Sequence, residues 1–99
     1  MFQVQTSLQD KTVIFTLLGS LDIGGVDTFE NEVSKVDFLV ADMVHIDFKG
    51  VEFVDSTGIG SIVNLVQLLE GRGLGYKLTN VSEPIQEVFV ILGLEDIIR

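Results

Sequence analysis

The chain has 99 residues, 46% of them hydrophobic and one a proline, which is the length of a single domain with enough apolar side chain for a core and argues against disorder. Fifteen acids against six bases leave a formal net charge of −9; this argues against nucleic acid or an anionic membrane as partner and fits a basic protein surface or plain solubility. No cysteine is present, so disulfides, thiol catalysis and zinc–thiolate sites are out, and without a basic-plus-apolar leader or an apolar run near the ~18 residues of a membrane span a cytoplasmic protein is expected.

Residues 2–8 and 12–18 read as two strands around Gln9-Asp10-Lys11, a hairpin, and the second, "TVIFTLL", is β-branched and aromatic enough to be central. "GSLDIGG" breaks it. Val26, Phe29, Val33 and Val36 then form one stripe of an amphipathic helix. Phe38–Val40 lead into "MVHIDF", where Val44, Ile46 and Phe48 alternate with His45 and Asp47. Lys49-Gly50 reads as a turn, and Val51–Val54 as extended again. A widely buried helix is expected over residues 57–70, closed by Gly71, Gly73 and Gly75, with "YKLTN" a short fourth strand. Ser82 is placed as the N-cap of a last helix with Pro84 in its first turn. Val88, Phe89, Ile91 and Leu92 should face inward, with Gly93 just past the end. After the hairpin the order is strand and helix in alternation, so the later strands should be parallel with right-handed crossovers and the functional loops should lie at their carboxyl ends.

"FVDSTGIGSIV", residues 53–63, is the chemically dense stretch: an apolar strand hands over to an apolar helix through an acid, two hydroxyls and two glycines. Asp55 or Ser56 can cap the helix and Asp55 complements its dipole. Gly58 permits close approach to the helix start and Gly60 close packing on a neighbour. A phosphate on Ser56 would meet unsatisfied N–H groups but also Asp55, which suits a reversible modification better than a standing anion site. If the second and third strands are neighbours, Asp22 lies at the same edge as Asp55 and Ser56.

On three motifs in order the chain resembles the STAS domain, specifically the bacterial anti-sigma factor antagonists (anti-anti-sigma factors). "LLGSLDIGGVDTFENEV" is similar to that family's L-x-G-x-L-D strand, loop and first helix. "FVDSTGIGSIV" is similar to its D-S-[ST]-G-[LI]-G corner, and "VSEPIQEVFVILGLEDIIR" to its closing P-x-[VI]-x-x-[VIL]-[FL]-x-x-x-G-L region. The resemblance covers nearly the whole chain. It implies an α/β fold with a mixed four- to five-stranded sheet, opened by a β-hairpin and covered by three or more helices, over residues 1–99 as one domain. It implies a non-enzyme that binds an anti-sigma factor serine kinase when unphosphorylated, freeing a sigma factor. Phosphorylation of Ser56 would switch it off and a PP2C-type phosphatase would reset it. Asp22, Asp55, Ser56, Thr57 and Gly58 fall on the kinase-binding face; no cofactor or metal is implied, and the protein is expected as a monomer or weak dimer. Family members often continue into a further helix, whereas this chain stops at Arg99, which leaves Ile97 and Ile98 as apolar surface to expose or to use in association.

Three alternatives stand beside this. The small STAS subunit of lipid-transport ABC systems shares the fold and ends similarly, but more often lacks the D-S-[ST]-G-[LI]-G corner. A receiver-like phospho-acceptor would need clustered acids for Mg²⁺ and a lysine at a later strand end; Lys77 falls inside the fourth strand. Ser-His-Asp hydrolysis has only His45 to draw on, on the far side of its strand from Val44 and Ile46. Gly58 and Gly60 form no P-loop.

Overall fold

A computed structural model describes residues 1–98. Strand β1 (Phe2–Gln9) turns back into β2 (Thr12–Leu21), followed by α1 (Val26–Ser34), a 3₁₀ turn (Phe38–Val40) and β3 (Met43–Val54). Then come α2 (Ser56–Gly71), β4 (Gly75–Thr79), α3 (Glu83–Ile91) and a second 3₁₀ turn (Glu95–Ile98). The four strands form one sheet in the order β1-β2-β3-β4. β1 runs antiparallel to β2, and β2, β3 and β4 run parallel. This is the mixed α/β sheet expected of the STAS fold.

Strand alternation decides which face is covered. Val13 and Phe15 of β2 pair in register with Val44 and Ile46 of β3, and these four, like Leu17 and Phe48 further along the two strands, are buried. The helices lie on that face: Phe29 of α1 meets Phe15 edge-on at 6.1 Å, and Phe89 of α3 meets Phe48 at 6.2 Å. The opposite face carries Thr16, His45, Asp47 and Lys77, half-buried or exposed. His45 thus sits where alternation placed it, between Ile14 and Lys77 in register.

Several boundaries differ from the expectation. The expected turn at Lys49-Gly50 is absent: β3 runs through it as one strand of 12 residues. The pairing with β2 slips there, between Thr16 and Leu18 and again between Gly19 and Ser20, so the alternation resumes out of phase at Val51. Gly50 is needed because a Cβ would collide with the Leu18 side chain lying across it. β2 likewise continues past Leu18 to Leu21, with Gly19 at φ +90 beside the Met1 carbonyl. α1 ends at Ser34, so Val36 lies beyond it. Both α2 and α3 end in paired hydrogen bonds around a left-handed glycine. Gly73 N and Leu74 N donate to Glu70 O and Leu69 O, and Gly93 N and Leu94 N to Val90 O and Phe89 O. In α3 the inward pair is Ile85 and Phe89; Ile91 and Leu92 are exposed, because a nine-residue helix against one sheet edge buries only a narrow stripe. Ser82 holds the N-cap position without a side-chain bond, and Ile97 and Ile98 are half-buried against the core rather than free.

Candidate functional site

The corner between β3 and α2 is built by Asp55. Its backbone is extended (φ −111, ψ −178), and its Oδ1 accepts from Gly58 N at 2.8 Å, so Asp55, and not Ser56, is the N-cap. Its Oδ2 accepts from Ile23 N at 3.3 Å, and its own N–H donates to Leu21 O at 3.4 Å. One side chain therefore caps α2 and ties down the loop after β2. The carboxylate does this with two separate oxygens, whereas a serine here would have to bring both amides to one.

Gly58 makes that junction possible. A Cβ there would collide with the Leu21 carbonyl, so the first turn of α2 lies directly against the end of β2. Gly60 does not share the role expected of it: a Cβ there would meet nothing within 4 Å. The buried hydroxyl in α2 is Ser61, which donates to Gly58 O at 2.7 Å.

Ser56 is the first residue of α2 and is exposed, as is Thr57. Among the described residues neither hydroxyl has a partner. Gly58 N is used by Asp55 Oδ1 and Ile59 N by Asp55 O, so the first two N–H groups of the helix remain open beside the Ser56 side chain.

Asp22 lies at the same edge, as parallel pairing of β2 and β3 requires, and its half-buried carboxylate is engaged in its own loop. Oδ1 accepts from Gly24 N at 2.9 Å, and its backbone carbonyl accepts from Gly25 N and Val26 N at 2.8 and 3.1 Å. It shapes the loop that starts α1, whose N-cap Gly25 has no side chain to offer. Two residues that the sequence did not single out are Ile23, whose N–H bonds Asp55, and Phe53, two positions before it, exposed at 76% and 52%. Their signal in the sequence is an isoleucine inside a polar Gly-Asp loop and a phenylalanine one residue before the strand's end. The face thus combines acids, apolar side chains and a free hydroxyl, with no lysine or arginine in the loops of residues 20–27 and 52–60.

His45 lies nine positions before Val54 on the same strand, roughly 30 Å from the corner at ~3.3 Å per residue, too far to serve Ser56. Lys77 is inside β4, and among the described residues no three His, Cys, Asp or Glu side chains converge to hold a metal ion, which the receiver-like alternative requires. Among them, too, no helix is long and apolar enough to cross a membrane.

Comparison with known proteins follows the same outline. The STAS domain family model matches residues 3–99. The anti-sigma-B factor antagonist of Bacillus subtilis is 28% identical over 95 residues, covering 96% of this chain and 86% of that protein. Its counterpart in Staphylococcus aureus is 26% identical, over 97% of this chain and 89% of that one. The solved structure of the anti-sigma factor antagonist SpoIIAA in its unphosphorylated form superposes with a TM-score of 0.80 at 26% identity, covering 100% of this chain and 86% of that one. The Bacillus cell fate determinant SpoIIAA in its phosphorylated form gives 0.74 at 26% identity, covering 100% of this chain and 89% of that one.

Proposed function

The chain belongs to the STAS-domain family, and from that premise we propose that it is an anti-sigma factor antagonist controlled by phosphorylation of Ser56. Unphosphorylated, it docks on an anti-sigma factor that is also a serine kinase, and a sigma factor is freed. The kinase transfers the γ-phosphoryl group of ATP to the Ser56 hydroxyl, whose proton leaves to the kinase's base, and the phosphorylated product dissociates. A PP2C-type phosphatase hydrolyses the phosphoserine and resets the cycle. The chain itself supplies the acceptor hydroxyl and the docking face.

The observation that carries this is the placement of Ser56: exposed, unpartnered, first in a helix, and next to a carboxylate that cannot retreat. A phosphate adds about −1.5 to −2 charge. The two open N–H groups and the helix dipole favour it locally. Asp55 opposes it, and Asp55 has both oxygens committed to Gly58 and Ile23, so swinging away would uncap α2. The added charge is therefore presented outward, onto a surface that must desolvate in order to dock, and repulsion with desolvation cost breaks the complex. Relatives named as anti-sigma-B factor antagonists support the same assignment.

The test is phosphate incorporation by the cognate kinase with ATP, mapped by mass. Ser56→Ala should abolish it; unchanged incorporation, or a label on Thr57, overturns the assignment. Ser56→Asp should bind the kinase far more weakly than Ser56→Ala, and equal affinities would refute the electrostatic account. Recovery of transporter ATPase subunits by both wild-type and Ser56→Asp baits would point to the lipid-transport alternative instead.

A further inference from the structure

The two edges of the sheet are guarded differently. β4 is five residues long, carries Lys77, and is followed by α3 and the 3₁₀ turn at Glu95–Ile98, whose Ile97 and Ile98 pack on the core. These are ordinary protections against edge-to-edge pairing. β1 is guarded less: α1 packs against its inner face through Phe2–Phe29 and Thr6–Glu32, but no short length and no charge protects its open edge. It runs eight residues, Phe2–Gln9, with no charge, no proline and no glycine, and β2 is its one strand neighbour in the sheet. In a chain of net charge −9 this is an exposed strand edge that carries no acid of its own.

We propose that β1 is a homodimer interface, pairing antiparallel with β1 of a second copy about a two-fold axis through Thr6. A two-fold axis across a sheet edge makes the pairing antiparallel and self-complementary. Directly opposed residues share a face, so the axis passes through a residue. At Thr6 it pairs Val4 with Leu8 twice, Gln5 with Ser7 twice, and Gln3 with Gln9 twice: apolar against apolar and polar against polar. An axis at Gln5 would instead spend Leu8 on Phe2. Phe2 is already turned under α1, 8% exposed and edge-on to Phe29 at 6.3 Å, and has no face left to offer.

The groove beside the strand agrees with this register. Thr6, Ser7 and Leu8 border a 370 Å³ groove lined further by Val13, Val36 and Val40 and by Glu32, Lys35 and Asp37, and Leu8 is 55% exposed beside it. Val4 of the second copy falls against Leu8 and covers it. Glu32, which accepts from the Thr6 hydroxyl at 2.9 Å, has Lys35 at 3.4 Å, so the acid nearest the axis carries its own counter-charge. Residues 3–9 from each copy bury less than the ~1,200 Å² of a standard stable interface, so the dimer is weak and concentration-dependent. Ser56 lies away from the shared edge, at the carboxyl ends of β2 and β3, so each dimer keeps both of its Ser56 faces free.

The chain has no cysteine, so one introduced thiol reports unambiguously. In the paired strands the Cβ atoms of the two position-6 residues lie about 5 Å apart, within disulfide reach. Mild oxidation of Thr6→Cys should give a covalent dimer at least about tenfold faster than Gln3→Cys, whose opposite number is Gln9, or Thr79→Cys on the other edge. Sedimentation equilibrium of the wild type should resolve a monomer–dimer equilibrium, weakened about tenfold or more by Thr6→Lys, which sets like charges face to face. A wild type that stays monomeric up to near-millimolar concentration overturns the proposal. So does cross-linking of Thr6→Cys no faster than Thr79→Cys, or faster cross-linking at position 3 than at 6.

Discussion

Asp55 holds the site together through two separate amides, and its loss should register on both. Asp55→Ala removes the cap of α2 and the bond to Ile23 N, a cost of about 2–3 kcal/mol; chemical denaturation measures it, and a loss below about 0.5 kcal/mol would mean that water replaces both bonds. Asp22→Ala removes one local bond, to Gly24 N, and should cost about 1 kcal/mol. That is more than a surface residue without a bond would cost, because one of its carboxylate oxygens holds the loop. Gly58→Ala drives a methyl group into the Leu21 carbonyl. With backbone on both sides nothing can rotate away, and a loss of about 2–4 kcal/mol is expected.

At the scale of an element, α2 carries a removable weakness. Gly60 costs the helix backbone entropy and no neighbour requires it. Gly60→Ala should therefore raise stability by up to about 1 kcal/mol, a rise in Tm of ~4–8 °C. A fall would mean that a neighbour does press on position 60 and that the space beside Gly60 is not open. β4 offers a pH probe. Burial first, then the carboxylates of Glu70 and Asp96, push the Tyr76 phenol above its ordinary 10.0. Its neutral form is the one the fold favours, so this contribution is intact below the unfolded pKa and is lost as pH rises through the folded one. Tyr76→Phe should flatten the decline in stability above pH ~10; an unchanged decline would assign it to other groups.

For the whole molecule, charge acts on encounter rather than on fold. On the function proposed above, fifteen acids against six bases, and no base in the loops around Ser56, should steer association with a basic partner face electrostatically. The association rate should fall with added salt, since steering fades beyond a Debye length of about 8 Å at physiological ionic strength. Dissociation should depend more on the apolar pair Ile23 and Phe53, exposed beside Asp55. Stopped-flow kinetics separates the two: Phe53→Ala should raise the dissociation rate about tenfold with little change in association. A purely association-side effect would place Phe53 outside the contact.

The amino-acid sequence alone determined the order of elements, the buried face of β2 and β3, the glycine ends of α2 and α3, and the convergence of Asp22 with Asp55 and Ser56 at the sheet's carboxyl edge. Each of these follows from local periodicity, from turn chemistry or from the handedness of parallel crossovers. What it left open depended on neighbours distant in the chain. Lys49-Gly50 reads as a turn because the slip that carries β3 through it is a property of its pairing with β2. Asp55 or Ser56 could each have been the cap, and the choice fell to the acid because Ile23 N, 32 residues away in sequence, needed its second oxygen. Gly58 and Gly60 look alike in sequence and differ only because the end of β2 presses on one of them. Ile91 and Leu92 match the helical stripe, yet a short helix at the sheet's margin finds no surface to bury them against.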